Sequence, residues 1–252
     1  MDPVFSGKTA IVTGASSGIG RATALKLAQA GAAVAVFARR GDVLDELVEN
    51  IEAGGGKALA VAGDASVTED IDSLMDRALA WKEGGQKIDI AVVNAGRGLA
   101  GGILDSDQSQ WRQVYETNVL GTAHLLRVAA QYMSRREGGD IVAIGSVVGR
   151  NVSPFSGFYG SSKFAVAGII EGLRREVCSN GVRVSLVMPG VVLSGFQDVA
   201  GYTEENFGKG VAQFGQLLDP EDIAEGIRWL LSLPAHVNVN EIMIRPTGQT
   251  YP

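Results

Sequence analysis

Seven apolar runs of strand length recur along this chain, at 9–13, 33–37, 58–62, 88–93, 141–144, 182–187 and 241–244. Most show no alternation of apolar and polar residues. A strand with one wet face alternates, so continuous runs of this length belong to strands buried on both faces of a parallel sheet. The segments between them have helical length and period. In 17–30, Ala24, Leu27 and Ala28 share a face; in 67–80, Ile71, Leu74 and Leu79 do the same. This alternation of strand and helix predicts an α/β fold with three layers, a doubly wound sheet covered by helices on each side.

With 252 residues, 46% of them hydrophobic, the chain can bury a sizeable core, and no composition shift marks a linker. A single domain spanning 1–252 is therefore expected. The run Asp219-Pro220-Glu221-Asp222 supplies an N-cap acid, a first-turn proline and two acids, and opens the last helix. The least regular stretch is 194–217, and a substrate lid is expected at about 190–217. The net charge of −6 and the scattered basic residues argue against a nucleic-acid partner. One cysteine, Cys178, allows no internal disulfide. No apolar stretch reaches the roughly 18 residues needed to span a bilayer, and the first ten residues do not resemble a signal peptide. A soluble, cytoplasmic protein without a metal site is expected.

Gly14, Gly18 and Gly20 follow the first run and lead into the first helix. Glycines in such a turn let backbone amides approach a pyrophosphate at the positive end of the helix. The spacing is G-x-x-x-G-x-G, one residue longer than the general dinucleotide fingerprint. About 20 residues on, Ala38 stands where an acid would bind a ribose 2′-hydroxyl, and Arg39 and Arg40 follow. An arginine there suits a 2′-phosphate, which points to NADP(H) over NAD; Arg40 is equally readable as solvated. Asp64, after the third run, could accept from an adenine amino group or cap the helix near Ser66. Asn94-Ala95-Gly96 ends the fourth run, at the sheet edge where open α/β proteins hold ligands.

Ser146 leaves the fifth run on the same side as the glycine turn. Tyr159 and Lys163 fall at i and i+4 on a helix expected over about 156–179. A free phenol has a pKa near 10, and a fixed ammonium beside it would lower that value. The phenol could then act as a general acid or base while Ser146 donates to a substrate oxygen. Asn118 lies in a further helical segment, where the local alternative is an exposed helix residue.

In these landmarks the chain resembles the short-chain dehydrogenase/reductase family over nearly its whole length. Thr13 to Gly20, Asn94 to Gly96, Asn118, Ser146, Tyr159 to Lys163 and Pro189-Gly190 match in order and spacing. The resemblance implies a Rossmann-like fold with a seven-stranded parallel sheet and an Asn118, Ser146, Tyr159 and Lys163 catalytic set. It implies that Tyr159 exchanges a proton with the substrate oxygen while hydride moves between substrate carbon and nicotinamide. Lys163 would also bind the nicotinamide ribose, and Asn118 would hold a water of the proton relay. The implied NADP(H)-contacting set is Gly14, Ser16, Ser17, Gly18, Ile19, Gly20, Arg39, Arg40, Asp64, Ala65, Asn94, Ala95, Gly96, Tyr159, Lys163, Pro189, Gly190, Val192 and Ser194. Ser194 stands where the family usually has a threonine.

The expected substrate wall comes from 97–102, 147–158 and the lid, with Val147, Val148, Val152, Phe155, Phe158, Val191 and Phe196 making it apolar. Arg150 is the one charge among those of 147–158; it could meet a carboxylate or lie solvated. The ending at 240–247 resembles the branch holding 3-hydroxy acid and serine dehydrogenases and ketone reductases. It lacks the Val-Asp-Gly-Gly ending common in acyl-carrier-protein reductases. A carbonyl reductase or alcohol dehydrogenase is thus the leading expectation. The alternatives are a cofactor-sensing regulator without turnover, a scaffold role, and a 3-oxoacyl-type reductase. Apolar residues 164–170 cover more of their helix than one core face needs, and the resemblance implies a homodimer or homotetramer.

Overall fold

The computed structural model describes residues 3–151, 153–203, 208 and 211–251. All seven apolar runs form strands: β1 Thr9–Thr13, β2 Ala33–Ala38, β3 Lys57–Ala62, β4 Ile90–Val93, β5 Gly139–Ile144, β6 Val182–Pro189 and β7 Glu241–Ile244. They make one sheet in the order β3-β2-β1-β4-β5-β6-β7, with every neighbouring pair parallel. Strand β4 starts two residues later than the apolar run suggests, and β6 runs on through Pro189.

The longer helices are α1 Gly18–Gln29, α2 Gly41–Ala53, α3 Thr68–Ala80, α5 Thr122–Ser134, α6 Gly157–Val177 and α8 Pro220–Leu231. Short helices α4 Trp111–Tyr115 and α7 Phe196–Ala200 complete the set used below. Successive residues of β1 show why alternation is missing. Ala10 and Val12 join Leu27, Leu44, Ile223 and Ile227 of α1, α2 and α8, whereas Ile11 faces Leu74, Leu126 and Ile170 of α3, α5 and α6. Each face of a central strand meets a helix layer, so each position must be apolar. Edge strand β7 has one neighbour and is partly exposed along its length.

Helix α8 begins as its sequence suggests, with Pro220 in the first turn and the Asp222 carboxylate accepting from the Asp219 amide at 2.9 Å. Its other end is fixed by Arg183, from the start of β6. That guanidinium donates to the carbonyls of Leu231, Leu233 and Val237 and to the Asp140 carboxylate of β5 at 2.5 Å. Orphan helix carbonyls are thereby satisfied at the end of the sheet away from the strand carboxyl termini. Among the described residues, no helix is long and apolar enough to cross a membrane.

Strand β1 pairs with β2 on one side and β4 on the other, so the winding direction reverses there. In an open parallel sheet this reversal leaves a crevice above the carboxyl ends of the two strands.

Candidate active site

A cavity of about 1180 Å³ opens in that crevice. Its floor begins at the β1–α1 turn, where Gly14 and Gly18 have φ of +66° and +53°, a region that side chains with a Cβ avoid. Gly14, Ser16, Ser17, Gly18 and Ile19 line the cavity. Gly20 does not. A Cβ on Gly20 would lie 2.3 Å from the Gly14 carbonyl oxygen, so this glycine lets the turn fold on itself from outside the cavity lining. Ser17, the N-cap of α1, makes no side-chain hydrogen bond to the helix.

Arg39, Arg40, Asp64 and Ala65 line the same end. Arg40 donates to the Ser16 hydroxyl at 3.0 Å, which ties β2 to the glycine turn, and Arg39 stands 4.0 Å from the Asp64 carboxylate. Asp64 does not cap α3, whose N-cap is Val67. Its carboxylate instead accepts from the Ser66 amide at 2.9 Å and hydroxyl at 2.7 Å. Burial pushes this carboxyl up, but the two Ser66 hydrogen bonds and the Arg39 charge outweigh it and hold it below its ordinary value. Arg97 also faces this end; burial and then the like charge of Arg39 hold its guanidinium below the usual range.

Asn94, Ala95 and Gly96 line the cavity, but the Asn94 side chain is occupied in stitching β4 to β1. Its amide donates to the carbonyls of Thr13 at 2.9 Å and Gly14 at 3.3 Å, while the Thr13 hydroxyl accepts from the amides of Asn94 and Ala95. The two strands of the crevice are held together by their own last residues.

Ser146, Tyr159 and Lys163 converge at the middle of the cavity. The Ser146 hydroxyl accepts from the Val148 amide at 3.4 Å and stands near enough to the Tyr159 phenol to influence its titration. Tyr159 is 7% exposed and Lys163 6% exposed. One expectation fails here: no ammonium holds the phenol down. The Lys163 Nζ lies 5.9 Å from the centre of the Tyr159 ring and donates to the Ile144 carbonyl at 2.8 Å. Burial and then the nearby Tyr202 phenol raise the Tyr159 pKa above its ordinary value, and the Ser146 hydroxyl offsets this in part. Burial also lowers Lys163 to about 8. Burial disfavours the charged form of both groups, and an opposite charge or a hydrogen-bond partner joining either one would move it back toward its ordinary value.

Asn118 differs from the sequence expectation in a second way. It is neither an exposed helix residue nor part of the cavity wall, being 1% exposed within a π-helical turn, Glu116–Gly121. Its Oδ1 accepts from the Arg97 amide at 2.8 Å, and its Nδ2 donates to the Arg97 carbonyl and to Ser162 Oγ. Ser162 in turn donates to the Tyr159 carbonyl at 2.6 Å. Asn118 thus positions the loop after β4 and the helix carrying Tyr159. Within this turn Gly121 abuts Ala65, whose carbonyl oxygen would lie 1.8 Å from any Cβ at that position.

The roof of the cavity comes from Pro189, Gly190, Val191, Val192, Ser194 and α7. Ser194 arches over the floor, its Cβ 3.3 Å from where a Cβ on Gly18 would stand. The Phe196 ring packs at 5.7 Å from that of Tyr159. Of the expected wall, Val147, Val148, Phe155, Val191 and Phe196 are present, and of 97–102 only Arg97. Phe158 is not: it stacks on Trp111 of α4 at 4.4 Å. Arg150 also leaves the wall, donating to Glu241 of β7. Val152, and the parts of the expected lid at 204–207 and 209–210, lie outside the described residues. The sequence reading missed Tyr202 as a named contact, although it lines the cavity and its phenol stands close enough to Tyr159 to raise its pKa. It also missed Gln249, Thr250 and Tyr251, which line the cavity from beyond β7. No local pattern marks these three. Among the described residues, no group of three or more His, Cys, Asp or Glu stands together as a metal site.

A family model described as short chain dehydrogenase matches residues 8–204. A glycine betaine reductase of Emericella nidulans is 37% identical over 245 residues, which is 97% of this chain but only 19% of that longer protein. An uncharacterized oxidoreductase of Staphylococcus epidermidis is 32% identical over 95% of this chain and 97% of its own length. Among solved structures, an alcohol dehydrogenase from Thermococcus sibiricus complexed with 5-hydroxy-NADP superposes with a TM-score of 0.84 at 29% identity, covering 97% of this chain and 99% of that one.

Proposed function

This chain belongs to the short-chain dehydrogenase/reductase family of oxidoreductases, and we propose that it interconverts a secondary alcohol and its ketone with NADP(H) as hydride carrier. The observation that carries the reading is the convergence of Ser146, Tyr159 and Lys163 on the middle of one cavity, between a glycine cradle and an apolar roof.

The residues present fit a phosphorylated dinucleotide. Gly14 and Gly18 give backbone amides room to approach a pyrophosphate at the start of α1. Arg39 and Arg40 face the far end of the cavity beside a single carboxylate, Asp64, which suits the extra charge of a 2′-phosphate. Ala38 offers no acid to accept from a 2′-hydroxyl. The T. sibiricus structure, with a modified NADP, is consistent with this choice. When bound, the cofactor supplies or accepts hydride. The chain does the rest. Tyr159 gives a proton to, or takes one from, the substrate oxygen; Ser146 donates to that oxygen; Lys163 supplies positive charge beneath the site. Asn118 and Ser162 fix the helix that carries the phenol.

The roof and wall are mostly apolar, and Arg150 is engaged elsewhere, which favours uncharged carbonyl compounds over hydroxy acids. A second reading of the substrate rests on Asp198, which lines the cavity together with Phe155, Phe196 and Tyr202. A carboxylate among aromatic faces suits an alkylammonium carbonyl compound, in keeping with the name of the E. nidulans relative. Residues 190–217 are the proposed lid of a single domain. Leu120 and Phe164 are exposed on the π turn and α6, which supports pairing of subunits through α4–α6.

Reduction of ketones and aldehydes, including a trimethylammonium aldehyde beside an uncharged one of equal size, should consume NADPH. Arg39→Asp should weaken NADPH binding by about 10–100-fold, or about 1.4–2.8 kcal/mol, with little loss for NADH. No turnover of any compound in either direction would leave the cofactor-sensing reading in its place.

A further inference from the structure

Three amides of the roof segment at 190–193 have three different kinds of acceptor. Gly190 donates to the Ile244 carbonyl of β7 at 2.7 Å, and Leu193 donates to the Leu218 carbonyl at 2.8 Å. Val191 has a side-chain acceptor: its amide donates to Oε1 of Gln249 at 2.9 Å, across 58 residues of sequence. Gln249 is 6% exposed, an unusual depth for this residue type. It lines the cavity, as do Val191 and the preceding Gly190.

The fit around this amide is close. A Cβ on Gly190 would stand 2.3 Å from the Gln249 Oε1, so position 190 must be glycine for the glutamine to reach. Gly248 is closed in likewise, a Cβ there lying 2.5 Å from the Phe214 carbonyl oxygen. The Gln249 amide itself donates to the Pro246 carbonyl at 3.0 Å, making a turn that aims the side chain inward. Removing the acceptor would leave a part-buried amide at the cavity wall without its partner, at the cost of at least that hydrogen bond.

We propose that Gln249 is a positioning residue for the nicotinamide half of the cofactor, acting through the Val191 amide to set the height of the strand at 190–194 above Tyr159. The proposal rests on the NADP(H) reading above. It differs from a plain stabilising role in being local, because the adenosine half of the cavity is built by Arg39 and Asp64, which pair with each other, whereas Gln249 is bonded to the roof.

The test uses the full chain and two ligands: NADPH, and adenosine 2′,5′-bisphosphate, which lacks the nicotinamide half. Gln249→Leu keeps much of the volume and deletes the acceptor; Gln249→Glu keeps an acceptor. Gln249→Asn withdraws it by one methylene and serves if the leucine variant fails to fold. The leucine or asparagine variant should bind NADPH about tenfold more weakly, equivalent to about 1.4 kcal/mol. The same variant should bind the bisphosphate within about twofold of the parent and lose kcat more than it gains in substrate KM. The glutamate variant should recover most of the loss. Equal weakening toward both ligands, or unchanged NADPH binding and kcat, would overturn the assignment. A parent protein that binds neither ligand would instead sink the cofactor reading on which it rests.

Discussion

The floor and the roof of the cavity are built on different terms. The floor is short-range and largely main chain: the turn at Gly14 to Gly18 and the ends of β1 and β4, stitched by the Asn94 side chain, each fixed by neighbours within one or two strands. The roof is side chain over distance: Phe196 on Tyr159, Ser194 over Gly18, and Gln249 under Val191. A main-chain cradle can hold only what every dinucleotide shares. A side-chain roof can change its chemistry without disturbing the fold, and selectivity belongs there.

The seam between the two is Tyr159, and the largest effect is expected there. Tyr159→Phe should lower kcat by about 10³-fold or more, within the range assigned to a positioned acid or base, while NADPH affinity stays within about threefold. Stopped-flow turnover with fluorescence titration of the cofactor decides it. Near-normal kcat in that variant would remove the phenol from the mechanism and erase the boundary drawn here.

A smaller effect should separate roof from floor. Gly98 sits beneath α7, where a Cβ would lie 2.5 Å from the Ala200 Cβ and 2.6 Å from the Phe196 ring. Gly98→Ala must lift α7, at a cost of about 1–3 kcal/mol by the usual measure of overpacking. Substrate KM should rise about tenfold with cofactor Kd unchanged. Parallel losses in both constants would show that roof and floor move as one body.

The smallest effect is on stability. Lys163 is held at about 8, below its unfolded value of about 10.4. A depressed lysine means that the unfolded chain binds more protons between these values, so stability rises with pH across that window and the full penalty is present below it. Lys163→Met should therefore raise stability at pH 7 by about 1–3 kcal/mol in urea unfolding, with the gain shrinking as pH climbs from about 8 toward about 10.4. An equal gain at pH 7 and pH 10 would mean that packing, not charge, is responsible.

What could be read from the sequence follows the same division. Gly14, Ser146, Tyr159 and Lys163 were legible because strand ends and helix spacing place them with short-range rules. Asn118 was legible as a landmark but not in its setting, since its side chain is held by Arg97 and Ser162, 21 and 44 residues away in the chain. The orientation of Phe158 depends on Trp111, and that of Arg150 on Glu241; neither partner is visible from local pattern. The expected lowering of the Tyr159 pKa failed for a physical reason as well. Spacing of i and i+4 brings two side chains to one face, but the Ile144 carbonyl competes for the ammonium and burial decides the sign.

The clasp of Arg183 on Asp140 and on the last carbonyls of α8 lies at the opposite ends of the strands from the cavity. Endurance and reactivity are housed a full strand length apart. Heat tolerance could then be tuned by reinforcing that lower rim, and the choice of substrate by altering the roof, in one protein and without either alteration cancelling the other.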